Sequence, residues 1–216
     1  MHIPDGFLST STSVVTWLAS TGSIGYAVRR ANRELGERQV PLMGITAAFI
    51  FAGQMMNFAV AGGTSGHLLG GALAAILLGP WAGMLVLTSV LAVQALLFQD
   101  GGLLALGANV FNMAVIGVLV GWGVYSALKR LLGDNARGTM VSSFAAAWLS
   151  VVIASLVAAA ELVVSGTSTW SVALPAMGLV HVLIGIGEGL ITVGVLSFLG
   201  VVRPDLLSLR QASSGA

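Results

Sequence analysis

The chain contains no cysteine. That excludes a disulfide frame, a thiolate metal site and a catalytic thiol. Charge is also scarce: nine Lys and Arg and eight Asp and Glu make up 8% of 216 residues. A soluble domain carries about 25% charged residues, so this chain is not built for water on all sides. The net charge of +1 gives no basic patch for nucleic acid. No Gly-x-x-x-x-Gly-Lys-Ser/Thr loop is present, so ATP-driven work would fall to another subunit. Only three histidines occur, His2, His67 and His181, which makes any imidazole site a short search. No basic n-region precedes the first apolar segment, so a cleaved signal peptide is not predicted. Met1 is expected to remain, because the bulky His2 disfavours its removal, and to present a free amine.

What is abundant is apolar. Hydrophobic residues make up 56% of the chain, with 29 glycines and a mean hydropathy of +0.97. This is the composition of closely packed transmembrane helices. The predicted fold class is an all-α membrane protein, a seven-transmembrane-helix bundle. Its segments run over roughly 10–30, 41–60, 67–79, 81–98, 106–130, 138–164 and 175–201. Residues 1–207 form a single transmembrane domain, and 208–216 a polar, disordered tail. The third segment is short and ends at Gly79-Pro80, so by length alone it could re-enter rather than cross. The cations decide. Arg29, Arg30, Arg33 and Arg38, then Lys129, Arg130 and Arg137, then Arg203 and Arg210 share one side only if the third segment crosses. The positive-inside rule then places the N-terminus outside and the C-terminus in the cytoplasm. Residues 61–66, 99–105 and 165–174 share the N-terminal side.

The chain opens Met1-His2-Ile3-Pro4-Asp5-Gly6. A histidine at position 2 places the α-amine, its own amide nitrogen and its Nδ1 around one point. These three close two fused chelate rings on three corners of a square plane, a geometry that suits Ni(II) and Cu(II). The competing reading is a chance histidine in a loose terminus. A second focus runs from Gln54 through Asn57 and the glycines Gly62, Gly63 and Gly66 to His67. One reading is a turn that dips into the bundle and presents His67 inward; the other is an ordinary outer loop. In the predicted helix two, Gln54 and Asn57 lie one turn apart.

Met1 to Ser9, Gln54-Met55, Asn57-Phe58 and Gly62-Gly63-Thr64-Ser65-Gly66-His67-Leu68 resemble the CbiM/NikM family. Its members are the substrate-capture (S) components of energy-coupling-factor (ECF) transporters for cobalt and nickel. The resemblance extends over the whole chain. It implies an S-component bundle with an extra N-terminal helix and an inserted N-terminal segment, in a bacterial or archaeal cytoplasmic membrane. It implies a metal held by the Met1 amine, the His2 amide and imidazole nitrogens, and the His67 imidazole. It implies Co(II) or Ni(II) as transported substrate, with no organic cofactor and no catalysis by this chain. The implied partners are a coupling protein of CbiQ type, an ATPase dimer of CbiO type and a small membrane subunit of CbiN type. The absence of a fused accessory segment makes a separate one expected and tilts the expected cargo towards Co(II). Family members often carry Pro where Ala59 or Ala61 stands, a departure that touches no ligand.

Several further residues support such a site. Asp5 is adjacent to the chelate and could balance its charge or pin the terminal turn. Asn57, Thr64 and Ser65 are hydrogen-bond candidates for the loop, and His181 is a candidate for orienting the ligands. Glu188, Glu161, Asn109 and Asn112 are expected to bond within the bundle or to hold the N-terminal segment. Small ridges, Gly44-Ala48-Ala52 and Gly117-Gly121, offer close helix approach, within this bundle or against a partner. A rival reading is a rhomboid-like intramembrane serine protease using Ser65 as nucleophile and His181 as base. It leaves Met1, His2 and His67 unexplained.

Overall fold

The computed structural model describes residues 1–36, 39–56, 58–60 and 64–207. Each predicted apolar segment contains helix. Helix α1 spans Thr10–Glu34, α2 Gln39–Gln54, α3 Gly71–Leu78, α4 Pro80–Leu97, α7 Ala136–Val164 and α8 Trp170–Val202. Between α4 and α7 one rod is assembled from α5 (Leu106–Asn109), a π-helical stretch (Val110–Gly117) and α6 (Val118–Leu132). Strands β1 (Phe58–Val60) and β2 (Thr64–Gly66) pair antiparallel, with Val60 opposite Thr64 and Phe58 opposite Gly66.

Among the described residues, α4, the rod Leu106–Leu132, α7 and α8 are long and apolar enough to cross a membrane. The protein is a multi-pass membrane protein. Its outer surface carries Leu18, Leu179, Leu183, Leu190 and Phe198 well exposed, as lipid-facing positions require.

The ends of the helices follow local chemistry. Ser9 opens α1, its hydroxyl accepting from Thr12 N–H at 3.2 Å. Asn135 opens α7 by accepting from Gly138 N–H at 2.8 Å. Gly79, at φ 86°, turns α3 into α4, and Pro80 starts α4 where no N–H is needed. All eight residues of α3 are buried. An eight-residue helix is only about 12 Å long, so this segment traverses the bundle only with the extended residues 67–70 ahead of it.

Two expectations are corrected. Helix two does not run to residue 60: α2 ends at Gln54, and Phe58–Val60 is strand. The antiparallel partner across the Gly62-Gly63 segment takes up backbone groups that a longer helix would have used. Gln54 is the last residue of α2, and Asn57 lies outside the described residues. The two small ridges also differ. Gly44, Ala48 and Ala52 are exposed, whereas a Cβ on Gly117 would strike Leu69 at 2.6 Å and one on Gly121 would strike Ala72 at 2.8 Å. The tail 208–216, Arg38 and Ala61 lie outside the described residues.

One end of the bundle gathers residues 1–9, the 99–105 connection and the turn after α7. Thr167 Oγ1 donates to Phe7 O, and Ser165 Oγ to Thr12 Oγ1 at 3.1 Å. The other end gathers the cations. Arg30 lines a cavity with Gly79, Trp81 and Trp122, and a cavity beside Trp122 is lined by Lys129 and Arg130. The segment from His67 to Gly79 thus runs from one end to the other.

Gly70 sits at φ 78°, and a Cβ there would lie 2.7 Å from Ile50. Gly70→Ala is expected to destabilise the protein by about 1–3 kcal/mol through left-handed backbone and overpacking. Gly187, with nothing within 4 Å of its Cβ position, serves as control. Thermal unfolding in detergent should show a lower Tm for Gly70→Ala and an unchanged one for Gly187→Ala.

Candidate metal centre

The N-terminal segment is an inserted plug. Met1 and Ile3 are fully buried, which favours docking by about 1.5–3 kcal/mol for each side chain. The backbone of Ile3 is gripped from both sides. Asn109 accepts from Ile3 N–H at 2.8 Å and donates to Ile3 O at 3.1 Å, and Gly102 N–H donates to the same oxygen at 3.0 Å. Asp5 then accepts from the N–H groups of Leu103 (3.0 Å), Leu104 (2.8 Å) and Ala105 (3.1 Å). A carboxylate bonded to three amides just ahead of α5 both satisfies orphan donors and complements the helix dipole. Gly102 allows this approach, since a Cβ there would run into Asp5.

Between these anchors sits His2, buried with 4% exposure. Gln94 Oε1 lies 3.1 Å from its Nε2. An amide oxygen only accepts, so Nε2 carries the proton and Nδ1 the lone pair. Asp100 Oδ1 approaches Nδ1 at 3.4 Å, an electrostatic contact.

The second arm carries His67, 1% exposed. Its Nδ1 donates to Leu68 O at 2.6 Å, which leaves the lone pair on Nε2. That nitrogen is buried and makes no hydrogen bond among the described residues. The arm is fixed one residue further on. Glu188, on α8, accepts from the N–H of Leu69 and, at 2.7 Å, from that of Gly70. Gln54, at the end of α2, donates to Leu69 O at 2.7 Å. The two arms meet: the His2 and His67 rings stack with centroids 4.5 Å apart and planes 28° from parallel.

Burial keeps this cluster uncharged. It lowers the terminal amine to about 4, with Asp100 opposing the shift. It lowers His2 to about 3, assisted by the charge of the amine and opposed by the Gln94 bond. Near pH 7 the terminal amine and the His2 imidazole are therefore neutral. Among the described residues no three His, Asp or Glu side chains group to hold a metal.

The chain matches, over residues 2–206, the family described as the cobalt uptake substrate-specific transmembrane region, CbiM. The chain belongs to the CbiM family. It is 44% identical over 214 residues to a protein of Archaeoglobus fulgidus named NikMN, covering 98% of this chain and 70% of that one. It is 33% identical to the cobalt transport protein CbiM of Geobacter sulfurreducens, covering 96% of this chain and 62% of that one. A crystal structure described as a transition metal transporter superposes with a TM-score of 0.87 at 36% identity, covering 99% of this chain and 98% of that one. This CbiM-family chain is a cobalt/nickel transport protein by descent, and its relatives are transport proteins rather than enzymes.

Set against the sequence, Met1, His2 and His67 are brought together. Asp5 pins the plug, and the carboxylate of Asp100 approaches His2 Nδ1 at 3.4 Å. His181 is fully buried, its Nδ1 donating to Met177 O at 2.7 Å. Thr64 and Ser65 lie in β2, their side chains outside the described residues. Asn109 and Glu188 hold the two arms, while Asn112 donates to Glu161 at 2.6 Å within the bundle. Gln94 and Asp100 were not expected. The signal for Gln94 was a lone amide in the apolar run of α4.

The amine and His2 are neutral when docked and protonated when released. The released form therefore binds more protons, and docking weakens as pH falls. For the amine the window runs from its ordinary 8.0 down to about 4, and for His2 from 6.5 down to about 3. Lowering the pH from 7.5 to 5 should reduce the Tm, and the drop should shrink in N-terminally acetylated protein. An equal drop in both would contradict a buried neutral amine.

Proposed function

We propose that this protein captures Co(II) or Ni(II) from outside the membrane through the Met1 amine, the His2 amide and Nδ1, and His67 Nε2. The observation that carries this reading is the meeting of two buried imidazoles, each with its proton engaged elsewhere, beside a buried terminal amine. Two imidazoles bound cis to one ion, with metal–nitrogen bonds of about 2.0–2.1 Å, hold their centroids roughly 4.5 Å apart. The separation of His2 and His67 is 4.5 Å. A histidine at position 2 fills three corners of the plane, and the fourth corner is cis to Nδ1. In this reading His67, carried by the loop arm, supplies the missing donor at that corner.

In this reading the chain is the S component of an ECF importer. A CbiQ-type coupling protein, a CbiO-type ATPase dimer and a CbiN-type subunit do the remaining work. The fused names of relatives such as NikMN support an accessory portion acting beside the capture domain. The exposed Gly44-Ala48-Ala52 ridge is a surface on which a partner helix could pack closely. The cations lie at the end opposite the site, which supports seven crossings with the N-terminus outside and the C-terminus in the cytoplasm. The expectation of cobalt over nickel has no support in the ligand set, since a plane of four nitrogens suits Ni(II) at least as well. The protease reading has none in the family.

The test is metal affinity of protein with a native N-terminus against protein with one residue added before Met1. The addition keeps both histidines and removes the amine from register. Ni(II) affinity should fall by more than about 100-fold, beyond the 10–100-fold typical of outer-shell changes. His67→Ala should do the same, and Ser65→Ala should leave affinity within about threefold. Equal affinity with and without the added residue would overturn the N-terminal chelate.

A further inference from the structure

The end of the bundle that gathers the cations holds a cavity of about 530 Å³, within the size range of ligand sites. Helix α6 supplies half of its lining. Trp122, Tyr125, Ser126 and Lys129 recur at three- and four-residue spacing, so they form one stripe of that helix, and Arg130 adjoins it. Ile76 of α3 and Leu196 of α8 add hydrocarbon to the same cavity.

The polar groups of this lining are unequally engaged. Lys129 pairs with Asp134 at 2.6 Å and donates to Thr139 Oγ1. Arg130 is exposed and has no ion pair or hydrogen bond among the described residues. Two cations face one carboxylate, so the lining is net positive. The Ser126 hydroxyl is buried and makes no hydrogen bond among the described residues, although buried hydroxyls are ordinarily paired. Ser126 and Arg130 are four residues apart on one helix, with β-carbons about 5–6 Å from each other. One phosphate can therefore accept from both, and a guanidinium suits phosphate through its fork of donors.

The depth of the cavity is marked by its neighbours. Leu131 and Leu132 are exposed and apolar directly after the two cations, and α6 ends the membrane-crossing rod Leu106–Leu132. Trp and Tyr concentrate where hydrocarbon meets head groups, and Trp122 and Tyr125 lie side by side here with centroids 6.2 Å apart. We propose that this cavity binds the phosphate of an anionic phospholipid. Arg130 and Ser126 donate to the phosphate oxygens, Lys129 adds charge, and Trp122, Ile76 and Leu196 receive the apolar part of the lipid. Cation and hydroxyl joined to hydrocarbon match the two halves of such a molecule. Basic pockets between transmembrane helices take lipid head groups in this way. The inference stands apart from the metal centre and does not depend on it.

The experiment uses the full chain, purified in detergent. Native mass spectrometry counts the lipid retained after addition of phosphatidylglycerol or phosphatidylcholine. Wild type should hold one phosphatidylglycerol and favour it over phosphatidylcholine by about fivefold or more. Arg130→Gln should weaken that binding about fivefold, and Ser126→Ala about threefold. Arg29→Gln removes an exposed cation of α1 that does not line the cavity, and should change binding by less than about twofold. Phosphatidylglycerol should raise the Tm of wild type, and the rise should shrink in Arg130→Gln. Equal retention of the two lipids would overturn the proposal. So would equal losses in Arg29→Gln and Arg130→Gln, which would mark diffuse surface charge. Displacement of the lipid by inorganic phosphate at matching concentration would mark a site for free anions and overturn it. Stabilisation by an acidic peptide and not by phosphatidylglycerol would overturn it in favour of a protein partner.

Discussion

The docking of the first five residues is the interaction on which the site depends. Two polar side chains do most of it. Asn109 pairs with both backbone groups of Ile3, and Asp5 takes three successive amides of the 103–105 turn. Met1 and Ile3 add apolar burial on either side of His2. A chain terminus is ordinarily the loosest part of a protein. Here it is held by charge-assisted bonds and buried side chains, so the α-amine becomes part of the interior. Without that grip the nitrogens of Met1 and His2 would have no fixed place relative to His67.

The opposing arm obeys the same logic with different parts. Its backbone cannot be satisfied by regular structure between β2 and α3, so two other helices supply the partners. Glu188 takes the amides and Gln54 takes the carbonyl of Leu69. Gly70 passes over Ile50 in a conformation that only glycine adopts easily. Polar side chains that are costly inside a membrane are therefore spent on positioning. Burial then keeps the amine and the His2 imidazole neutral, the form in which nitrogen binds a metal. Gln94 and the Leu68 carbonyl fix which nitrogen of each ring carries the proton. The stacking of the two rings is the geometric product of both arms.

Much of this was legible in the residues. Scarce charge and long apolar runs gave the helical bundle, and the cation clusters placed the N-terminal segment with the 99–105 and 165–174 connections. His2 and the Gly-rich approach to His67 pointed to the two arms. The end of α2 was not legible. Apolarity continues through Phe58-Ala59-Val60, and periodicity cannot separate a buried helix end from a short strand. The role of Asp5 in pinning the plug was legible, whereas the carboxylate that approaches His2, Asp100, follows α4 at a distance no spacing rule reveals. Gln94 stood out only as an amide in an apolar helix. Glu188 was visible as an intramembrane acid, but its partners are backbone amides more than a hundred residues away, and a sequence does not announce such pairings.

X-ray absorption of the Ni(II)-loaded wild-type protein tests the central claim most directly. The account predicts a shell of nitrogen donors only, two of them imidazoles, at distances suited to a square plane. A sulfur donor from Met1, carboxylate oxygen from Asp100, or a single imidazole in the shell would contradict it.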